Sequence, residues 1–219
     1  MHFENKMGIF SPDGRLYQVE YAQHASNQGA TVCLNVTGDK IHVFYENKQT
    51  SVLEVFENKI VPIGKDIYIL FSGIKPDSYL VEKVCATEIY MHKMNTAQDI
   101  TIRGLAGKIA KYKREFTVKM SHRPLGLKTV LFGIENGKGR IFVIESDGNF
   151  AEYEKCAVGY KSDKIYDNFK DSGKDASLSA LLNVVQKNHK FIKGYEINTN
   201  EGIKEIVAEE IKTKLDEMN

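Results

Sequence analysis

The middle of the chain constrains the fold most, because two long amphipathic helices there follow directly on a block of strands. From Asp77 the apolar residues fall on one helical face, which ends near Asn95. Thr96, with Asp99 three residues later, has the spacing of a capping box and predicts the start of the second helix. The apolar stripe of the first helix is Leu80, Val81, Val84, Cys85 and Ile89, and that of the second is Ile102, Leu105, Ala106, Ile109, Tyr112 and Phe116.

Short apolar, β-branched runs on both sides of the helix pair predict strands. ATVCLNV and KIHVFYE, joined by Thr37-Gly38-Asp39, predict a hairpin, and KIVPI and DIYILFSG predict the next two strands. After the helices, KTVLFGIE and GRIFVIES flank Asn136-Gly137, a dipeptide typical of tight turns. NFAEYE and KCAVG continue this second strand block as a meander.

The last third of the chain returns to helices. We predict helices around residues 163–169 and 174–186, then a strand near Phe191. A final helix is predicted from its apolar spacing, with Ile203, Ile206, Val207, Ile211 and Leu215 on one face. Strand block, helix pair, strand block, helix pair is the order of an α+β fold in which two packed sheets carry helices outside each. With four prolines and no low-complexity linker or repeat, the chain is predicted to be one domain, 1–219.

Composition disfavours several classes of function. Lys and Arg total 30 against 29 Asp and Glu, a net charge of +1 with both signs interspersed, which disfavours nucleic-acid binding. No stretch approaches the roughly 20 apolar residues of a membrane span, and residues 1–10 lack the apolar core of a signal peptide. The three cysteines lie far apart in apolar runs and are expected to be free and buried. We therefore expect a soluble intracellular protein with no membrane partner.

The residues offer little other chemistry. The six histidines have no metal-ligand spacing, so we expect no metal site and no cofactor. The sequence NGKG at 136–139 lacks the longer spacing of a phosphate loop and is interpreted as a hairpin turn. The basic residues of KYKR at 111–114 are expected to be the solvated flank of the second helix's apolar stripe.

An amphipathic helix is predicted ahead of the first strand, within SPDGRLYQVEYA. Pro12 and Gly14 indicate a turn, Asp13 can accept backbone N–H groups, and the helix is expected to begin near Arg15 or Leu16. Its apolar face is Leu16, Tyr17, Val19, Tyr21 and Ala22. On amphipathicity alone, this is an ordinary N-terminal helix packed on the core.

The residues themselves are more specific, because FSPDGRLYQVEYA closely resembles the N-terminal signature of proteasome α-subunits. Ten positions match its pattern: Phe10, Ser11, Pro12, Gly14, Arg15, Gln18, Val19, Glu20, Tyr21 and Ala22. The resemblance continues along the chain, in order, with Ser72-Gly73, Pro76-Asp77, Arg123-Pro124-Leu125-Gly126, Asp147-Gly148 and Ala157-Val158-Gly159. The residues LYQVEYA, SNQG and RPLG, with Phe3-Glu4, are most similar to the eukaryotic alpha-1 type.

The resemblance implies the four-layer α/β/β/α sandwich of N-terminal-nucleophile hydrolases, with a gate tail and turn at 1–15, an N-terminal helix at 16–28 and the sandwich at 29–219. It implies a structural subunit of the outer, heptameric ring of the proteasome core particle, which gates substrate entry in ubiquitin-dependent protein degradation. The partners implied are other α-subunits, β-subunits and the C-terminal tails of regulatory particles, in the cytoplasm and nucleus.

Catalysis is not expected of this chain. Catalytic β-subunits use a threonine at the very N-terminus, whose own α-amine serves as its base. Ala30 occupies the corresponding position here, and Thr31 could serve only after cleavage between these two residues. Two other hypotheses stay open: a β-like threonine hydrolase with an uncleaved propeptide, and a free scaffold protein. An intact mass starting at Met1 tests the first, and a native mass of monomer size would favour the second.

The resemblance also assigns site residues. The gate would use Phe3, Glu4, Pro12 and Tyr21, where the family's tail carries Tyr-Asp before Ser-Pro. Lys59, with Gly73, would line the pocket between neighbouring α-subunits that binds the C-terminal carboxylate of a regulator. From the residues alone, a lysine at the start of an apolar strand is a solvated surface residue. Alpha-1-type chains often lack this lysine, so its presence weighs against either the type or the pocket.

Overall fold

This computed structural model describes residues 8–47, 53, 58–119, 121–169, 176–184, 191–199, 202–207, 209 and 211–213. Within these residues the chain forms ten strands, β1–β10, and five helices, α1–α5. The first half comprises α1 (Tyr17–Asn27), β1 (Val32–Thr37), β2 (Lys40–Glu46), β3 (Val61–Gly64), β4 (Ile67–Gly73), α2 (Lys75–Thr96) and α3 (Ile102–Val118). The second half comprises β5 (Leu127–Glu135), β6 (Lys138–Ile144), β7 (Phe150–Tyr153), β8 (Lys155–Val158), α4 (Ser162–Asn168), α5 (Ala176–Val184), β9 (Ile192–Asn198) and β10 (Gly202–Ile206).

The strands form two five-stranded sheets, antiparallel throughout. One sheet has the order β10-β9-β2-β1-β8 and the other the order β3-β4-β5-β6-β7. The predicted β5–β6 hairpin is confirmed, because Asn136 and Gly137 both have positive φ, 52° and 73°, as a two-residue turn of this kind requires. The predicted meander is wrong at its end, because β8 leaves the second sheet and pairs with β1 of the first.

Three apolar clusters separate four layers. The cluster between the sheets takes alternate residues of both, such as Val32 and Leu34 from β1 and Tyr68 and Leu70 from β4. The intervening residues face outward, so Ile69 packs towards α2 and α3, and the outer face of the first sheet packs on α4 and α5. This period-2 alternation on both sheets produces the predicted α/β/β/α sandwich of the N-terminal-nucleophile hydrolase type.

The start of α3 differs from the prediction. Thr96 ends α2, where its hydroxyl donates to the carbonyl of His92 at 2.8 Å, and Asp99 binds Lys93 at 2.7 Å. The N-cap of α3 is Thr101, whose Oγ1 accepts from Gly104 N at 3.0 Å. Thr96 and Asp99 are therefore not a capping box, because a second threonine lies nearer the first buried residue of the helix.

The predicted final helix is wrong over residues 203–206. These residues belong to β10, which pairs antiparallel with β9, so that Ile203 lies opposite Ile197. Their apolar spacing fits a helix, but the open edge of β9 offers backbone hydrogen bonds that outweigh the pattern. Residues 211–213 are helical, and Ile211 is buried in the cluster that covers the first sheet.

Lys113 is the clearest correction to the sequence interpretation, which placed it on a solvated flank. The side chain is fully buried beneath α3, and Nζ donates to the carbonyls of Leu127 at 3.0 Å and Ile144 at 2.9 Å. Its position was readable from the spacing, since 113 follows Ile109 by four residues on the buried face of the helix. Because lysine is seldom buried, the sequence interpretation placed Lys113 in solvent although its helical spacing puts it on the buried face of α3.

Candidate functional site

The turn before α1 is built around Ser11. Gly14 N donates to the Ser11 carbonyl at 2.9 Å, and Arg15 N donates to Ser11 Oγ at 3.1 Å. Ser11, rather than the predicted Asp13, thus accepts the hydrogen bonds that shape this turn. Since Ser11 is 5% exposed, the turn is fixed to the body of the protein and sets the direction in which α1 leaves.

Helix α1 is partly buried, with most of its residues at intermediate exposure. Ala22 and Ser26 are its buried residues, while Tyr21 is 48% exposed and stacks on Tyr17 with ring centroids 6.3 Å apart. Pro12 is exposed in the preceding turn. Of the predicted gate residues, Pro12 and Tyr21 therefore lie at the surface, available to a neighbouring molecule. Phe3 and Glu4 lie outside the described residues.

Three glycines bring separate segments into backbone contact where α1 leads into β1. A Cβ atom on Gly29 would lie 2.0 Å from Gly73 N, and one on Gly159 would lie 2.0 Å from the carbonyl oxygen of Ala30. Such distances leave no space for any side chain. We call this contact of residues 29–31, 72–73 and 159–160 the α1–β1 junction.

Hydrogen bonds hold residues 29–31 in the junction. The carbonyls of these residues accept in order from Tyr160 N at 3.0 Å, Ser72 Oγ at 2.9 Å and Glu46 N at 2.9 Å. The hydroxyl of Thr31, a residue 1% exposed, donates to the Tyr160 carbonyl at 3.0 Å. The segment is therefore a fixed link between α1 and β1.

The residues at this link differ chemically from a terminal threonine nucleophile. Ala30 has no nucleophilic atom, and the nitrogen of Thr31 is in the peptide bond with Ala30, so it is no amine base. The single hydroxyl proton of Thr31 is directed at Tyr160, while Glu46 Oε2 is 3.4 Å from Thr31 Oγ1. The Thr31 hydroxyl is thus buried and donates to a backbone carbonyl, and the residue's own nitrogen is a peptide N–H.

Lys59 lies two residues before the start of β3, at the same end of the sandwich as the junction. Its Nζ donates to the Glu46 carbonyl at 2.9 Å and lies 5.7 Å from the centre of the Tyr45 ring. The Tyr45 hydroxyl in turn donates to Asn58 Oδ1 at 3.2 Å, and burial raises the pKa of Tyr45 well above its ordinary value. The half-buried lysine is thus oriented by the end of β2, which the solvated-surface interpretation did not predict.

Gly73 lies at the same end of the β3–β4 hairpin as Lys59, because the two strands run antiparallel. Its φ is +128°, and a Cβ atom there would lie 2.3 Å from the Gly126 carbonyl. Gly73 is therefore required by the junction itself, whatever binds beside it.

An ion pair beside the junction was missed, although both residues lie in motifs that the sequence singled out. Arg123 donates from both terminal nitrogens to Asp77, each at 2.7 Å, and Gly126 N donates to the same carboxylate at 2.9 Å. Burial raises the pKa of Asp77, but the hydrogen bonds from Arg123 and Gly126 outweigh it, and the net pKa is lowered. The pair fixes the loop 123–126 to the start of α2.

Other kinds of site find no support in the described part of the chain. No group of three or more His, Cys, Asp or Glu side chains there could hold a metal ion. None of the helices in that part is both long and apolar enough to cross a bilayer. Cys33, Cys85 and Cys156 are buried free thiols, as predicted.

The α/β/β/α sandwich, in which α1 leads into β1 through the close-packed α1–β1 junction, is the fold of the N-terminal-nucleophile hydrolase type. Comparison with known families gives the finer grouping. The family model described as "Proteasome subunit" matches residues 26–207, and a second model, which describes the N-terminal signature of α-type proteasome subunits, matches residues 3–25. The chain belongs to the proteasome subunit family and carries the α-type signature, as its residues predicted.

Similar proteins come from distant organisms. A proteasome alpha type-7-like protein of Macaca fascicularis is 28% identical, with 99% of this chain and 92% of the relative aligned. The mouse proteasome alpha type-8 protein has the same identity and coverage. A proteasome alpha chain of Methanococcus maripaludis is 31% identical over 72% of this chain and 61% of its own length. These relatives do not decide the alpha-1 assignment, which stays a prediction.

Proposed function

We propose that this chain is a non-catalytic subunit of the outer, heptameric ring of the proteasome core particle. The observation that carries the proposal is the α1–β1 junction, where Ala30, which the resemblance aligns with the family's nucleophile, lies inside a hydrogen-bonded link. A hydrolase of this fold needs a free terminal amine and an open cleft at that point. Here α1 packs at this end of the sandwich, against β4 and β5.

Membership of the α-type group supports assembly with other α-subunits and with β-subunits. In such a ring the exposed Pro12 and Tyr21 would contact neighbouring subunits at the gate, together with Phe3 and Glu4 of the tail. Lys59 would offer its ammonium to the C-terminal carboxylate of a regulatory particle. The role proposed is to admit unfolded substrates in ubiquitin-dependent degradation, in the cytoplasm and nucleus.

Reconstitution tests the proposal. The full chain should be co-expressed with the other core-particle subunits and the product measured by native mass spectrometry, with the free chain assayed against fluorogenic peptides. We expect the chain in a heptameric ring and no turnover by the free chain. Peptide turnover that Thr31→Ala abolishes and Thr31→Ser retains would overturn the proposal in favour of a β-like threonine hydrolase. A chain that stays monomeric with every partner set would favour a free scaffold protein.

A further inference from the structure

Lys113 is buried with hydrogen-bond acceptors but without a charge partner. It is completely inaccessible, and Nζ is bound by the two carbonyls of Leu127 and Ile144. Among the residues that the structure describes, no carboxylate forms an ion pair with it. An ammonium ion in such a place would keep one N–H without an acceptor and a charge without compensation, which is costly in a protein interior.

An uncharged amine fits the same place well. A neutral –NH₂ group has two N–H donors, and two carbonyl oxygens lie at 3.0 and 2.9 Å from Nζ. Ser146 Oγ also donates to the Leu127 carbonyl, at 3.2 Å, so that acceptor keeps a partner if the lysine moves. The number of donors and acceptors therefore matches the deprotonated state of Lys113.

The two carbonyls mark a joint between elements. Leu127 begins β5 and Ile144 ends β6, so Lys113 fastens α3 to neighbouring strand ends. The turn after β6 packs on the same helix, because a Cβ atom on Gly148 would lie 2.5 Å from the Ala110 carbonyl. Helix α1 and the loop 123–126 attach to the sheet at the same end of β5.

Titratable groups face Lys113 from the elements packed around it, and the two carboxylates among them have other partners. Glu145 pairs with Lys128 of β5 at 3.1 Å, and Asp147 accepts from Asn149 N at 2.8 Å. From α2 the neighbouring titratable group is the buried thiol of Cys85. Burial lowers the pKa of Lys113 to about 7, although Glu145 and Asp147 each act in the opposite direction.

We propose that Lys113 is a proton-sensitive latch, which fastens α3 to the ends of β5 and β6 as an uncharged amine and loosens when it is protonated. The unfolded chain holds this lysine protonated up to about pH 10. Above neutrality the folded chain has released a proton that the unfolded chain keeps, so protonation favours the unfolded chain. The free energy of unfolding therefore falls as pH is lowered from about 10 towards 7. Because the folded-state pKa lies below the unfolded one, the free-energy cost of burying this lysine is largest below about pH 7. The cost decreases as pH rises towards the unfolded value near 10.

The sign of this pH dependence follows from the two protonation states. Between about pH 7 and pH 10 the unfolded chain binds one proton more than the folded chain at Lys113, so the free energy of unfolding rises with pH over that interval. Below pH 7 both states are protonated at this residue, and its contribution no longer changes with pH. The latch is therefore fastened more firmly as pH rises above neutrality.

Two measurements test the latch on the full chain. In the first, the lysine Cε atoms are labelled with ¹³C and titrated by NMR. One resonance should titrate near pH 7, should be missing in Lys113→Met, and should persist in Lys111→Met, the matched control on the solvent side of α3. Titration of every lysine above pH 9 would overturn the proposal, and the wild-type spectrum alone decides this if Lys113→Met fails to fold.

The second measurement is urea unfolding of the wild type and Lys113→Met between pH 7 and 8.5. Burial raises the pKa of all three cysteine thiols, which lowers stability as the unfolded chain loses those protons, but this effect is common to the two proteins and cancels in their comparison. Relative to Lys113→Met, the wild-type unfolding constant should fall by about tenfold over this interval. Equal pH dependence in the two proteins would also overturn the proposal. The result is independent of ring assembly.

Discussion

Lys59 shows how one side chain can be oriented by contacts with a neighbouring strand of its own fold. Its ammonium donates to the Glu46 carbonyl at 2.9 Å. The Tyr45 ring 5.7 Å away limits its side-chain freedom, which lowers the entropy lost when a carboxylate binds. The same contacts that orient Lys59 therefore favour its proposed docking role.

The prediction at this residue concerns regulator binding. In assembled particles, Lys59→Ala should weaken binding of a regulator's C-terminal peptide at this pocket by roughly 1 to 3 kcal/mol, because a charge-assisted hydrogen bond is lost. Fluorescence anisotropy with a labelled peptide measures the change. Lys65→Ala, which removes an exposed lysine from the β3–β4 turn, is the matched control and should leave the affinity unchanged. Equal affinity in the two variants would contradict the docking role and leave Lys59 with its contact to the Glu46 carbonyl.

For single residues, the sequence predicted the chemical properties of a side chain better than its burial and contacts. Ala30 excludes a nucleophile by its identity alone, and that could be read without a structure. The contacts of Ser72 and Glu46 with residues 29–31 depend on strands far apart in sequence, so no local pattern indicates them. The burial of Lys113 was masked for a different reason, since its charge argued against its position on the helix.

Between elements, Arg123 and Asp77 form a two-pronged ion pair near the junction. The Asp77 side chain is 7% exposed, and its carboxylate accepts three hydrogen bonds from Arg123 and Gly126. Asp77 also lies in the first turn of α2, where a negative charge is favoured by the helix dipole. One carboxylate thereby fixes α2, the loop 123–126 and the start of β5 relative to one another.

The pH dependence of this link can be predicted with its sign. Because the folded-state pKa of Asp77 is lowered, its contribution to stability is present above about pH 4 and is lost as pH falls through the folded-state value. Asp77→Asn should therefore lower the free energy of unfolding by about 2 kcal/mol at pH 7, with a smaller difference at pH 3. Urea unfolding at both pH values measures the two differences.

The control for this prediction is Asp99→Asn, since Asp99 is paired with Lys93 on the surface with its side chain 76% exposed. Its removal should have no measurable effect on stability at either pH. A loss of stability in Asp77→Asn that stays constant from pH 7 to pH 3 would contradict the assigned role of the carboxylate.

Most elements were predictable because their local signals agreed. The β5–β6 hairpin has alternating apolar residues and a turn dipeptide that both favour it, and β2 was predicted with its observed bounds, Lys40–Glu46. The prediction failed in β10, because the short apolar spacing there fits either a helix or a strand. Pairing with the neighbouring strand β9 selects the strand. The partner sheet of β8 could not be read either, because a short strand carries no information about which edge it joins.

At the scale of the whole molecule, the described residues from the Ser11 turn onward form one layered body. The three apolar clusters hold the four layers together, and α1 is tied to them through the α1–β1 junction. The turn at Ser11 is held by backbone and side-chain hydrogen bonds of Ser11 with residues 14 and 15. Residues that precede this turn can therefore change without altering the layers.

That separation gives the last prediction, which concerns the proposed gate. Deleting residues 1–8 leaves the Ser11 turn, α1 and the junction intact, so the shortened chain should still enter the ring. The basal peptidase rate of the assembled particle should rise, because one of the segments proposed to close the pore is absent. The measurement pairs native mass spectrometry of the particle with hydrolysis of a fluorogenic peptide.

Tyr21→Phe in the full-length chain is the matched variant, because it keeps the ring on α1 and removes only the exposed hydroxyl. If that hydroxyl helps to hold the gate open, the variant should assemble normally and show weaker activation by a regulator at an unchanged basal rate. Failure of the shortened chain to enter rings would make the tail a structural element. Normal assembly of the shortened chain with an unchanged basal rate would contradict the gate role. Residues 1–8 would then be needed neither for ring contacts nor for closing the pore, which other subunits would close.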